Sequence, residues 1–271
     1  MLDPPEPHPH PVAMNPDLID FAQELAAAAR VETLPRWKQC CAAEDKGSGA
    51  FDPVTEADRE AERVMREMIR TRFPDHGVSG EEWADEPRPG RWSWSLDPVD
   101  GTRSFMCRLP TWTTLIALLE GGAPVLGIID APVLDETYVG FGREALMLAG
   151  GTRAPLRTSG CTRLSDARFS MTDPFLCGPS ADALERLLNA VKVTRFGHDG
   201  YGYARLAGGS IDLIIERGLK PHDHNALVPV IRAAGGWVGD WQGGDDLAEG
   251  RVIAAATQEL FDQAVELLAA R

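Results

Sequence analysis

Two carboxylates lie three residues apart in the run Asp97-Pro98-Val99-Asp100-Gly101-Thr102. Pro98 stiffens the bend between them, so both can converge on one hard cation, with the Val99 carbonyl as a further oxygen between them. Gly101 lets the backbone come close to an anion. If Thr102 opens a helix, the free N–H groups of its first turn point at that anion and the helix dipole favours it. Taken alone, Asp-Gly is only a turn signal. The further acids Asp52, Glu81 and Asp223 change that reading, because each falls at a predicted strand end or helix start. Converging carboxylates repel one another unless cations lie among them. All-oxygen ligation points to Mg²⁺ or Mn²⁺ rather than Zn²⁺. The matching chemistry is phosphate hydrolysis, in which the ions generate the nucleophile, bind phosphate oxygens and stabilise the leaving alkoxide.

The elements that must position these acids follow from periodicity. Trp92, Trp94 and Leu96 alternate with Ser93 and Ser95, the pattern of a half-buried strand that Pro98 stops. Residues 78 to 82 read as a short strand ending in Glu81 and Glu82. Upstream, Asn15-Pro16-Asp17 starts a scaffold helix with an apolar stripe at Leu18, Phe21, Ala22, Leu25, Ala26 and Ala29. A second segment follows Pro35 to about Ala43, then a flexible polar stretch at 44–49. Thr55 and Asp58 are spaced as a capping box for the next helix, which buries Ala61, Val64, Met65, Met68 and Ile69; Asp52, just before it, makes no cap and is free for other work. The runs 112–119 and 124–130 predict a hairpin, continued as a meander by 137–141 and 146–149. Beyond Gly150-Gly151 strands alternate with helices: strands at 168–172, 192–196, 211–216, 236–239 and 252–256, helices at 180–191, 202–208, 223–234 and 258–270. The expected organisation is a disordered tail over 1–14, an N-terminal α+β domain over 15–150 with most of the metal ligands, and a C-terminal α/β domain over 151–271 with Asp223 and the substrate contacts.

The balance of 27 Lys and Arg against 41 Asp and Glu gives a net charge of −14. With no basic cluster, this disfavours nucleic acid and anionic membrane as partners, and it favours metals over an arginine-lined phosphate pocket. Five cysteines, Cys40, Cys41, Cys107, Cys161 and Cys177, are irregularly spaced with no C-x-x-C pair, which predicts reduced thiols in a cytoplasmic protein. The Pro-rich start, with His8 and His10, has neither the basic nor the apolar region of a secretory signal, and no apolar run is long enough to span a membrane.

These residues resemble the Mg²⁺-dependent, lithium-sensitive inositol monophosphatase superfamily. Its D-P-x-D-G-T stands as Asp97 to Thr102, its D-x-V-T-x-x-D as Asp52 to Asp58, its G-E-E as Gly80-Glu81-Glu82, and its last aspartate, before a helix and Ala-Gly-Gly, as Asp223 with Ala234-Gly235-Gly236. The resemblance implies an α+β to α/β fold, a layered αβαβα sandwich of the sugar-phosphatase type with an antiparallel sheet in the first half and a mixed sheet in the second. It implies two or three Mg²⁺ ions, with Mn²⁺ able to substitute. Glu81, Asp97 and the Val99 carbonyl would hold the first ion and Asp97, Asp100 and Asp223 the second, while Glu81 could share a third. Asp52 and Thr102 would orient and deprotonate the attacking water, and the N–H groups of Gly101 and Thr102 would take the phosphate. A homodimer acting on a small phosphorylated substrate is also implied.

Within the superfamily, Gly218-Leu219-Lys220-Pro221-His222-Asp223 and Ala226-Leu227-Val228-Pro229-Val230 look more like the histidinol-phosphate phosphatase branch, although His222 replaces its Tyr. Arg103 after Thr102 is a further departure from the inositol type and a substrate-contact candidate. Glu216 matches a position that contacts substrate in the superfamily, and its carboxylate suits an amine; Asp199 is a second candidate. The readings kept open are a histidinol-phosphate phosphatase, an inositol monophosphatase or broad sugar-phosphate phosphatase, and a catalytically silent binding or regulatory module. Against silence, the full acid set is present.

Overall fold

The computed structural model describes residues 14–39, 44–45, 53–176 and 178–270. The expected tail before Met14, Cys40, Cys41, Cys177, the polar stretch 46–49 and Asp52 lie outside them. In chain order the elements are α1 (Pro16–Gln39), β1 (Glu44–Asp45), β2 (Pro53–Val54), α2 (Glu56–Arg72), β3 (Gly77–Gly80), β4 (Trp92–Asp100), α3 (Thr102–Met106) and β5 (Thr113–Glu120). They continue as β6 (Ala123–Ala131), β7 (Glu136–Phe141), β8 (Glu144–Ala149), β9 (Thr152–Pro155), β10 (Arg168–Met171), α4 (Ala181–Ala190), β11 (Val193–Phe196), α5 (Asp199–Ala207) and β12 (Leu213–Glu216). The chain closes with α6 (Pro221–His224), α7 (Leu227–Ala233), β13 (Trp237–Gly239), β14 (Val252–Ala255) and α8 (Gln258–Ala269).

Among the described residues the strands form a small β1–β2 ribbon, a seven-stranded sheet in the order β3-β4-β5-β6-β7-β8-β9, and a five-stranded sheet in the order β11-β10-β12-β14-β13. The larger sheet is antiparallel except at its edge, where β3 joins β4 in parallel. The smaller one is mixed, with β10 parallel to β11 and β12 while β14 runs against β12 and β13. Gly150-Gly151, read from sequence as the boundary, form the turn between β8 and β9, so the first sheet runs on to Pro155.

Side-chain alternation builds the layers. On β5, Ile116 and Leu118 face α1 and α2, packing with Phe21, Leu25, Met65 and Trp94. Leu115, Ala117 and Leu119 face the other way, into a core shared with α5, α7 and the inner face of the second sheet at Ile214 and Ala254. Leu213, Ile215, Ile253 and Ala255 on that sheet's outer face pack against Leu187 of α4 and Leu260, Phe261 and Ala264 of α8. The order is thus helix, sheet, helix, sheet, helix, with one apolar core running between the two halves of the chain. Each fully buried Leu, Ile or Phe contributes about 1.5–3 kcal/mol to holding these layers together.

Two prolines behave differently from expectation. The helix predicted to break at Pro35 continues to Gln39. Val31 and Pro35 both lie on its exposed side, where water can take the carbonyl that the proline leaves unbonded. The single helix predicted over 223–234 is two, α6 and α7, which places Pro229 in the first turn of α7, where an N–H has no intrahelical partner anyway.

Candidate active site

The acids meet where four elements end on one side of the larger sheet. The parallel register pairs Gly80 with Leu96, so the residues that follow, Glu81 and Asp97, emerge side by side, and the Glu81 N–H still bonds the Leu96 carbonyl at 3.2 Å. Residues three apart on a regular strand point to opposite faces. Asp97 and Asp100 escape this because β4 does not stop at Pro98, as its sequence predicts, but passes through it with a bulge: Asp97 pairs with Leu115 and Asp100 with Thr113, leaving one extra residue on the β4 side. The Pro98 carbonyl, inside the bulge, is held by the Thr114 hydroxyl at 2.7 Å.

Asp223 arrives from the first turn of α6. Its Oδ2 accepts the Lys220 N–H at 2.6 Å, and the next turn is pinned to β4 by the Asn225 amide donating to Ser95 Oγ at 3.2 Å, with both residues buried. One carboxylate oxygen from each of Asp97, Asp100 and Asp223 falls within 4.8 Å of the others. Asp97 is 1% exposed, and its Oδ1 is buried without a hydrogen-bond partner. Burial first, then the charges of Glu81, Asp100 and Asp223, push its carboxyl far above the ordinary range. Asp100 is raised in the same direction by burial and by Asp199 and Asp223, against the opposing pull of the Gly200 N–H at 2.6 Å and the Thr113 hydroxyl at 2.9 Å. Burial also raises Asp223. An all-oxygen set with a buried Asp97, half-buried Asp100 and Asp223, and one orphaned carboxylate oxygen fits a hard divalent cation, which would remove both the repulsion and the unpaired group.

Gly101 has φ of +80°, and a Cβ there would lie 2.7 Å from the Asp199 carboxylate, so only glycine fits this turn. Thr102 then opens α3, as predicted, and its hydroxyl donates to the Val99 carbonyl at 3.2 Å, which keeps a second lone pair. Asp199 sits at φ +45° at the start of α5; its Oδ2 accepts the Ser104 hydroxyl, and burial raises its carboxyl while Arg103 opposes that. Glu216, at the end of β12, is 2% exposed. Its Oε1 accepts the Thr172 N–H at 2.6 Å and its Oε2 the Tyr203 hydroxyl at 2.9 Å, and burial pushes its carboxyl up. Glu81, Asp100, Thr102, Arg103, Glu216 and Asp223 all line one cleft of about 480 Å³.

Sequence reasoning gave Asp58 only a capping role, which it does fill: its Oδ2 accepts the Thr55 N–H at 3.0 Å and the Thr55 hydroxyl. The structure adds that it is fully buried, that its Oδ1 has no partner, and that burial, with Glu82 and Glu81 adding repulsion, pushes its carboxyl up to about 7. Asp58 also adds its charge to those acting on Asp97. Its tripeptide neighbourhood carries no signal of this, because a capping box is complete with one oxygen.

Residues 14–270 match the sequence model of the inositol monophosphatase family. The bifunctional phosphatase IMPL2, chloroplastic, of Arabidopsis thaliana is 42% identical over 230 residues, 80% of this chain and 66% of that protein, so the chain spans about two thirds of that relative. A histidinol-phosphatase of Chlorobaculum parvum is 32% identical over 91% of this chain and 94% of its own length. Among solved structures, an inositol monophosphatase from Zymomonas mobilis superposes with a TM-score of 0.81 at 34% identity, covering 94% of this chain and 98% of that one.

Proposed function

This chain belongs to the inositol monophosphatase family, whose members are metal-dependent phosphatases, and we propose that its substrate is L-histidinol phosphate, hydrolysed to L-histidinol and inorganic phosphate in histidine biosynthesis. The observation that carries this choice is the anionic wall of the cleft. Glu216 is buried there with its carboxylate accepting from the Thr172 N–H, the Thr172 hydroxyl and the Tyr203 hydroxyl, which leaves it one lone pair for a cationic group, and Asp199 places a second carboxylate nearby. Histidinol carries an ammonium and an imidazole that such a wall accepts, whereas inositol carries only hydroxyls. The similarity to the Chlorobaculum histidinol-phosphatase over nearly the whole chain supports the same reading. The likeness to the Zymomonas inositol monophosphatase supports the alternative, a neutral polyol phosphate.

In this reading the cation is Mg²⁺, with Mn²⁺ able to replace it. Glu81, Asp97 and the Val99 carbonyl would hold one ion and Asp97, Asp100 and Asp223 another. When bound, such ions neutralise the phosphoryl oxygens and the leaving alkoxide. The chain itself supplies the remainder. The N–H groups of Gly101 and Thr102 bind a phosphate oxygen at the turn that Gly101 makes possible. Arg103 reaches the substrate from the rim of the cleft. Water attacks phosphorus, its proton passes to a carboxylate, the ester P–O bond breaks, and the departing alkoxide takes a proton from solvent. Asp52 with Thr102 is one assignment for that base, and Asp58, with its unpaired buried oxygen, is a second. The enzyme is expected to work as a cytoplasmic homodimer.

A phosphate-release panel with Mg²⁺, comparing histidinol phosphate, inositol phosphates, fructose bisphosphate and adenosine bisphosphate, tests the substrate. Glu216→Gln should raise KM for histidinol phosphate about tenfold or more and leave a neutral ester nearly unchanged, because only the cationic substrate loses a charged partner. Equal losses on both, or a better wild-type rate on an inositol phosphate, would overturn the choice.

A further inference from the structure

Directly beneath Glu81 lies an ion pair that touches neither cleft nor solvent. Glu62 and Arg66, one turn apart on the buried face of α2, are 0% and 2% exposed, with Arg66 Nε donating to Glu62 Oε1 at 2.7 Å. Most of what the pair bonds is the backbone that turns away just after Glu81. Glu62 Oε2 accepts the Glu82 N–H at 2.8 Å, and the Trp83 N–H also reaches this carboxylate. The Arg66 guanidinium donates to the Trp83 carbonyl at 3.0 Å, the Ala84 carbonyl at 3.1 Å and the Glu86 carboxylate at 3.1 Å. Gly80, immediately before Glu81, is pressed against the same pair: a Cβ there would lie 2.2 Å from Glu62 Oε1. The turn after β3 has no ladder of its own beyond the Glu81 N–H, apart from the single bridge between Val78 and Glu86. Glu62 and Arg66 therefore fix where the backbone of residues 81–84 sits.

We infer that Glu62 and Arg66 are positioning residues for the metal centre, which set the affinity of the ion held by Glu81 without touching it. The inference rests on the reading of Glu81 as a ligand. A buried ion pair is a poor device for stability alone, since apolar residues of the same size often do as well or better. Here its two charges are spent on peptide groups that no helix or sheet satisfies, one residue from a ligand, and partners at that distance commonly tune metal affinity.

The test is direct Mn²⁺ binding to the full chain, followed by calorimetry and by the paramagnetic signal of the free ion, beside thermal melts without metal. Glu62→Gln and Arg66→Lys keep the shape of the pair but remove a charge or the planar fork; each should weaken Mn²⁺ binding about tenfold or more at one site. Gly80→Ala, which displaces Glu62 while retaining both charges, should do the same. Glu67→Gln, on the exposed face of α2, should leave binding unchanged. Raised Mn²⁺ should restore most of kcat in Glu62→Gln, which a general loss of folding would not allow. Glu81→Gln separates the two ideas. If Glu81→Gln leaves Mn²⁺ binding intact, the ligand reading of Glu81 fails; if it weakens binding while folded Glu62→Gln, Arg66→Lys and Gly80→Ala do not, the positioning inference fails. Should those variants not fold, hydrogen exchange on the wild type decides. By linkage, Mn²⁺ must slow exchange of the Glu82 and Trp83 amides if their anchoring and the ion are coupled, and unchanged exchange at both would overturn the inference.

Discussion

Asp97 concentrates the conflict that cations resolve, being buried, surrounded by four other acids and left with an unpaired oxygen. Asp97→Asn should cost turnover on the order of 100-fold while leaving the metal-free fold as stable as before or more so, because the amide relieves the repulsion. Phosphate release by the wild type in excess chelator would sink the metal reading. The run Asp97-Pro98-Val99-Asp100-Gly101-Thr102 was legible from spacing because it compresses two ligands, a tight turn and a helix start into six residues. Asp58 was not, because one oxygen satisfied a local rule and the other's isolation depends on neighbours far along the chain. The base assignment separates on two variants. An Asn amide oxygen can still accept the Thr55 N–H and hydroxyl, so Asp58→Asn should fold; if Asp58 takes the proton, kcat should fall by about 10²–10⁴ with Mn²⁺ affinity preserved. Asp52→Asn carries the same expectation under the other assignment, and whichever variant retains the wild-type kcat clears its residue of the role.

Elements, rather than residues, decide whether these acids meet. Period-two alternation identified β4, and the apolar runs identified the meander from β5 to β8. Two features that matter most to the site escaped that reading. The β4 bulge turns Asp97 and Asp100 to the same side, but a proline inside an apolar run signals the end of a strand more often than a bulge. The parallel pairing of β3 brings Glu81 beside Asp97, and a strand of four residues carries no mark of its partner's direction. Asp223 depends on a third contact, the buried Asn225 to Ser95 hydrogen bond that fastens α6 onto β4. Ser95→Ala leaves that amide without a partner, so stability should fall by about 1–3 kcal/mol. Denaturant titration would measure it. Mn²⁺ affinity should fall as well, since α6 carries Asp223; a loss of stability with full Mn²⁺ affinity would show that α6 is placed by its packing alone.

At the scale of the whole molecule the acid centre makes folding depend on pH in a direction opposite to ordinary acid denaturation. Asp58, Asp97, Asp100 and Asp223 are all raised in the folded, metal-free protein, with burial the first cause in each. A carboxyl whose folded pKa exceeds its unfolded one binds its proton more tightly when folded. The stability it contributes is complete below the unfolded value and is lost as pH rises through the folded one. For Asp58 that window runs from the ordinary 3.8 to about 7. Glu86, drawn down to about 2 chiefly by its hydrogen bond to Arg70, has the opposite sign, but its window lies below the ordinary carboxylate value and does not overlap the upper part of this one. His224, pushed down to about 4 by burial, and His76 and His198, lowered by the same cause, also have the opposite sign, and what they contribute is complete only above the ordinary 6.5. The melting temperature of chelator-treated protein should therefore fall between about pH 6.5 and about pH 8. Mg²⁺, which competes with those protons, should stabilise most at the upper end and flatten the profile. General repulsion within a chain of net charge −14 would slope the same way. Asp97→Asn distinguishes the two causes, since it removes one raised group from the centre and barely alters the overall charge. It should make the metal-free slope visibly shallower, and an unchanged slope, or a wild-type profile that is flat or rising over this range, would mean that the acids do not govern the pH dependence.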